Sequence, residues 1–247
     1  MYFKILKKIT GLLGFKLIEK SLIKNERLIN SESFLNLKYF LKKIFSNNIE
    51  NLVQIGANDG VRFDELGYFI KSQRPKSILV EPIKFYFDQL SKNYCDYKNV
   101  YLENSAINQN GKIKYIYKVS EKFLNHYDEH ILGINSFDKN HLIKHGVKSS
   151  HIAKEEVNSI SIKQLFEKYD IRKLDLLYVD TEGYDGNIII NFLETSNLNP
   201  IIIFEYIHID HDLFKTLITI LNSKKYFYFK VNENLLCFPE NKMQLFL

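Results

Sequence analysis

The chain has 247 residues, 45% of them hydrophobic and 14% aromatic, which supports one substantial buried core and excludes a disordered polymer. Its formal charge of +5 is uneven: residues 1–50 hold ten Lys or Arg against four acids, and the remainder holds 24 against 25, so the larger part lacks the overall basic excess of a nucleic-acid enzyme. Two cysteines, Cys95 and Cys237, have neither disulfide-framework nor zinc-ligand spacing.

In chain order, residues 1–48 read as a basic amphipathic helical extension. Phe3, Leu6, Leu13 and Leu17 recur at roughly helical spacing among Lys4, Lys7 and Lys8. Such a segment packs on its own domain or on a second subunit in a homodimer, or lies on an anionic membrane surface through residues 1–30. The apolar stretch Ile9 to Phe15 runs into Lys16, Glu19 and Lys20 and not into a small-residue cleavage site. No run approaches the ~20 apolar residues of a membrane span. The expected location is therefore the cytoplasm, with the inner membrane face as an option. Residues 33–46 carry Phe34, Leu37, Leu41, Ile44 and Phe45 on one helical face, a core stripe.

From residue 49 onward strands and helices alternate. A strand from Asn51 runs into the turn Gly56-Ala57-Asn58-Asp59-Gly60, followed by a helix over Phe63 to Ile70. The strand Ser77 to Val80 ends in Glu81-Pro82, and a helix spans Ile83 to Tyr94. Strand three covers Asn99 to Ile107, and the Asn110-Gly111 turn signal predicts a hairpin strand over Lys112 to Val119. Residues 120–158, with His126, His130, His141 and His145, form a polar, poorly periodic insertion, expected to act as a substrate lid. Then follow a helix over 161–169, strand four over 174–179, a helix over 187–194, strand five over 200–206, a helix over 212–224, and a closing hairpin of strands 226–231 and 235–238. The order predicts an α/β fold with a seven-stranded, mostly parallel sheet.

In such a sheet ligands sit beyond the carboxyl ends of the strands. Three strands end there in polar residues: the Gly56 turn, Glu81 twenty-five residues later, and Asp180-Thr181-Glu182-Gly183-Tyr184-Asp185. A glycine turn followed by a strand-terminal acid is the arrangement of a nucleoside site, in which the acid accepts hydrogen bonds from ribose hydroxyls. A dinucleotide site wants G-x-G-x-x-G aimed at a pyrophosphate, whereas this turn carries Asp59, which repels phosphate and suits a cation. S-adenosylmethionine, with its sulfonium and α-amino group, fits.

These residues resemble the FkbM-type S-adenosylmethionine-dependent methyltransferases. The resemblance rests on Val53-Gln-Ile-Gly-Ala-Asn-Asp-Gly60, Leu79-Val-Glu-Pro82, Asn104-Ser-Ala-Ile107, Asp175-Leu-Leu-Tyr-Val-Asp-Thr-Glu-Gly-Tyr-Asp185 and Pro200-Ile-Ile-Ile-Phe-Glu205, over roughly residues 50–210. It implies a class I methyltransferase fold and O-methylation, often of sugars in surface polysaccharides or glycosylated metabolites, with a sugar or nucleotide-activated sugar as acceptor. The cofactor set is then Gly56, Ala57, Asn58, Asp59, Gly60, Glu81, Pro82, Ser105, Ala106 and Asp180. Asp180, Glu182 and His208 are the catalytic candidates; Asp185, Glu205, His141 and Ser136 are expected to bind the acceptor. Asp180, Glu205 and His208 also offer donors for Mg²⁺ or Mn²⁺, an ion the resemblance allows without requiring. Two other functions compete: a nicotinamide-dependent oxidoreductase, against which the acidic turn argues, and a non-catalytic membrane-associated scaffold.

Overall fold

The computed structural model describes residues 35–245, with Phe63, 110–113, 129, 130 and 132 excepted. The extension predicted over residues 1–48 therefore lies outside the described residues except for its end, where helix α1, Leu37–Phe45, buries Leu37, Phe40, Leu41, Ile44 and Phe45.

The central sheet has seven strands, as the alternation predicts: β1 (Asn51–Ile55), β2 (Lys76–Val80), β3 (Val100–Glu103), β8 (Leu176–Val179), β9 (Ile201–Glu205), β10 (Tyr226–Val231) and β11 (Asn234–Pro239). Across the sheet they run β3-β2-β1-β8-β9-β11-β10, all parallel except β11, which is antiparallel to both its neighbours. Helices cover both faces, so the inner strands are largely apolar and not alternating. Leu52, Leu176, Ile201 and Ile203 pack toward α1 and helices α2 (Gly67–Gln73) and α3 (Lys84–Asn93). Val53, Leu177, Val179, Ile202 and Phe204 pack toward α6 (Asp185–Thr195) and α7 (His211–Ser223).

Helix α2 starts four residues later than the sequence predicts. Asp59 Oδ1 accepts from the N–H groups of Val61 and Arg62, and Asp64 Oδ1 accepts from that of Leu66. These side chains capture the donors a helix would use and hold the segment as turns.

Strand three is also broken. Ser105 Oγ donates to Glu103 Oε1, and Asn104 Nδ2 donates to the carbonyls of Glu81 and Pro82, which bends the chain out of the sheet. Its continuation, β4 (Ala106–Ile107), pairs with β7 (Ser159–Ile160) in a separate ladder. The predicted hairpin fails likewise: β5 (Lys114–Val119) pairs antiparallel with β6 (Ile152–Val157), across the whole insertion. Between them lie helix α4 (Lys139–Lys144) and a small core of Val119, Ile134, Leu142 and Val147, so the insertion is an ordered lobe with its own interior and not an irregular loop. Helix α5 (Ile162–Lys168), closed by a Ser161/Gln164 capping box, returns the chain to the sheet.

Candidate active site

The register brings the three strand ends level. Ile55 lies opposite Val80 on one side and Val179 on the other, so Gly56, Glu81 and Asp180 follow at the same height, at the carboxyl ends of the three strands. Gly56 N–H donates to Val80 O at 3.0 Å, and Asp180 N–H to Ile55 O at 2.9 Å. A Cβ on Gly56 would sit 1.7 Å from the Asp180 carbonyl oxygen, and its φ is 87°; only glycine lets the strands close here.

Above these ends opens a cavity of about 310 Å³. One part is apolar, with Ala57, Ile107, Ile116, Phe137, Tyr184 and Ile188; the remainder is polar and, among the described residues, carries seven carboxyl groups, Asp64, Glu65, Glu81, Asp180, Glu182, Glu205 and Glu233, against one cation, Arg62. Volume and lining fit a small-molecule site, for which about 300 to 1,000 Å³ is usual.

So many acids in so little water cannot all ionise. Burial, with the charges of Asp185 and Glu182, raises the Asp180 carboxyl far above the ordinary carboxylate range. Burial and Asp180 push Glu205 up to about 10. Among the described residues Glu205 Oε2 is buried without a hydrogen-bond partner. Glu81, buried completely, is pushed up to about 7 by desolvation, although its oxygens accept from the N–H groups of Asn58 and Ile83 at 3.0 and 2.8 Å. Each oxygen keeps a lone pair for a further donor.

Of the cofactor candidates, Gly56, Ala57, Asn58, Glu81, Pro82, Ser105, Ala106 and Asp180 line this cavity. Asp59 and Gly60 do not. Asp59 is buried and bound to Arg62 Nε at 2.6 Å, and although burial raises its carboxyl, the hydrogen bonds from Arg62 and Val61 outweigh this and hold it low. Its charge is therefore spent on Arg62 and cannot serve a cationic ligand. Gly60 packs on Leu90 and Tyr94 and shapes the turn.

Of the acceptor candidates, Glu205 and Ser136 line the cavity. Ser136 Oγ donates to the Glu182 carbonyl at 3.1 Å, tying the lobe to the loop after β8. Asp185 is fully buried off the cavity lining, and it accepts from Thr181 Oγ1 at 2.9 Å and from the backbone N–H groups of Thr181 and Gly183 at 3.3 Å. These bonds hold the loop after β8. His141 sits behind Glu182, its Nε2 3.2 Å from Glu182 Oε2.

His208, expected as a base titrating near neutrality, lies off the cavity lining; burial and the neighbouring His141 push its pKa down to about 4. Its contact with Glu205 at 3.8 Å pairs a neutral imidazole with a protonated acid at neutral pH and is no ion pair. Asp180, Glu205 and His208, which the sequence offered as donors for an ion it did not require, are not grouped at metal-compatible spacing among the described residues. The described groups with metal-compatible spacing are Glu182, Glu205 and His208, and His141, His145 and His208; Asp180 belongs to neither.

Sequence reasoning missed Gln54, Asp64, Glu65, Asn135, Phe137, Tyr184 and Glu233, all lining the cavity. Gln54 left a signal: a polar side chain inside an otherwise apolar buried strand.

The sequence profile of the methyltransferase FkbM domain matches residues 54–228, which contain both the strand ends and most of the cavity wall. The chain belongs to the FkbM methyltransferase family. Its sheet is accordingly that of a class I methyltransferase. Among solved structures it is similar to an FkbM methyltransferase from Methylobacillus flagellatus KT, with 12% identity and a TM-score of 0.45, over 77% of this chain. The chain spans only 44% of that protein's length. The N-methyltransferase NodS from Bradyrhizobium japonicum WM9 matches at 11% identity over 91% of this chain and all of its own, with a TM-score of 0.42. The N-terminal domain of human METTL16, in complex with S-adenosylhomocysteine, matches at 10% identity over 81% of this chain and 67% of its own, with a TM-score of 0.38. No curated protein matches the chain. Among the described residues no helix is long and apolar enough to cross a membrane.

Proposed function

We propose that the chain is an S-adenosylmethionine-dependent O-methyltransferase acting on a sugar hydroxyl, in the biosynthesis of a surface polysaccharide or a glycoside. The observation that carries the cofactor is the cavity itself: among the described residues, seven carboxyl groups against one arginine, with Glu205 Oε2 buried and unpartnered. Such a cavity attracts a cation and repels the pyrophosphate of a nicotinamide dinucleotide, so the oxidoreductase alternative loses its basis. S-adenosylmethionine carries a sulfonium and an ammonium, and when bound it supplies an electrophilic methyl group.

The residues present fit that molecule. Glu81, on the cavity wall at the end of β2, suits ribose hydroxyl donors, and the apolar part around Ile107, Phe137 and Tyr184 suits an adenine face. The acids around Asp180 and Glu205 suit the cationic end. With a cation beside it the Asp180 carboxyl ionises more readily, and as a carboxylate of raised basicity it takes the acceptor hydroxyl's proton at its Oδ atoms. Glu182, less buried and fixed by Ser136 and His141, accepts a hydrogen bond from a neighbouring acceptor hydroxyl. A neutral polyol supplies donors to such a rim without the repulsion a nucleic-acid backbone would meet.

Calorimetry with S-adenosylhomocysteine, followed by turnover against a panel of neutral sugars and glycosides, tests both halves. Tight binding of NAD in preference to S-adenosylhomocysteine would overturn the cofactor assignment. Binding with turnover of nitrogen acceptors only would overturn the sugar assignment.

A further inference from the structure

Helix α4 ends with His141 and Lys144, and His145 follows as its cap, so two imidazoles four residues apart stand on one face of the helix. The loop after β9 brings a third, His208, against them. The ring centroids are 4.6 Å apart for His141 and His145, 4.7 Å for His141 and His208, and 5.1 Å for His145 and His208. One ring nitrogen from each lies within 4.8 Å of the others. Metal–nitrogen bonds of about 2.0 to 2.1 Å require those nitrogens to close in by only about 1 Å. Glu182 Oε2 stands 3.2 Å from Nε2 of His141, which leaves Nδ1 of that ring for an ion. A carboxylate on the far nitrogen is the arrangement that fixes ring orientation in histidine metal sites.

We propose that His141, His145 and His208 bind one divalent transition-metal ion of the Zn²⁺, Co²⁺ or Ni²⁺ class, with Glu182 as the carboxylate that orients His141. Three imidazole nitrogens select such ions over Mg²⁺ and Ca²⁺, which take oxygen ligands. Two of the ligands belong to the 120–158 lobe and one to the loop after β9, so the ion clamps the lobe onto the domain beside the cavity. The site stands independently of the methyl-transfer reading.

The test uses the full chain, stripped with a chelator and titrated with Co²⁺ by visible absorption and with Zn²⁺ by calorimetry. One ion per chain is expected, with a rise in melting temperature on Zn²⁺ and no competition from excess Mg²⁺. His145→Gln should weaken binding by at least about tenfold. His208→Asn, approaching the site from the other element, should do the same. Both metal-free variants should melt at the temperature of metal-free wild type. Glu205→Gln should leave the affinity unchanged, because the competing Glu182, Glu205 and His208 set is not the one used. Absence of stoichiometric uptake, wild-type affinity in both histidine variants, or loss of binding in Glu205→Gln would each overturn the proposal.

Discussion

Burial of Glu81 sets a measurable conflict between stability and ligand binding. In the unfolded chain its carboxyl ionises near the ordinary 4.5; in the folded protein desolvation holds it to about 7. Between those values the unfolded state has lost the proton and the folded state retains it, so stability falls as pH rises through this window. At about 1.4 kcal/mol per pH unit the full loss is about 3 kcal/mol, reached once pH passes about 7. Glu81→Gln removes the titration. It also turns an amide NH₂ toward one of the two backbone donors from Asn58 and Ile83, at a pH-independent cost of about 1 to 3 kcal/mol. The variant should therefore be less stable than wild type at pH 5 and overtake or match it at pH 8. Urea denaturation of both proteins at the two pH values gives the difference, in which all other titrating groups cancel. Affinity runs the opposite way: ribose hydroxyls need the ionised acid, so wild-type affinity for S-adenosylhomocysteine should fall about tenfold per pH unit below about 7. Parallel stability profiles for the two proteins would refute the burial argument, and a flat wild-type affinity would remove Glu81 from the ribose site.

Gly56→Ala should cost about 2 kcal/mol or more, because its Cβ meets the Asp180 carbonyl at 1.7 Å; a melting temperature equal to wild type would show that the strands yield. Asp180→Asn should lower kcat by about 100-fold or more while leaving thermal stability unchanged or improved, since it replaces a buried carboxyl whose ionised form the cavity disfavours; full turnover would take the proton acceptor elsewhere. Asp185→Asn should do the reverse. Asn fills the same space with weaker acceptors for Thr181 and Gly183, so a stability loss of about 1 to 3 kcal/mol is expected, with near-normal kcat in the folded fraction. Preserved stability with lost turnover would return Asp185 to the acceptor site.

What the sequence displayed well were the strand ends. An apolar run that stops at Gly56, Glu81 or Asp180 marks a buried strand reaching the sheet's edge, and the parallel register then places all three together. The role of each acid was much less visible. Asp59, Asp180 and Asp185 look alike in sequence, yet one is neutralised by Arg62, one faces the cavity and one caps a loop. Those differences arise from side-chain direction and contacts, which spacing does not encode. The insertion was misread for a related reason: its core joins Val119, Ile134, Leu142 and Val147, apolar residues too scattered to give a periodicity. Phe137 and Glu233 reach the cavity from segments far from any motif.

The placement of β11 bears on how the molecule is made. It is the last strand of the sheet in the described chain, yet it lies between β9 and β10, with β9 as its inner neighbour. Until residue 239 has left the ribosome, β9 therefore offers an open edge of Ile201, Ile202, Ile203 and Phe204, all buried in the finished fold. Unpaired apolar edges recruit other strands. The turn before β11 also carries Glu233, whose backbone carbonyl accepts from Tyr206 N–H and which completes the acidic wall. A chain interrupted before this hairpin thus lacks both its closing strand and part of its cavity, and its fate is aggregation and not a weaker enzyme.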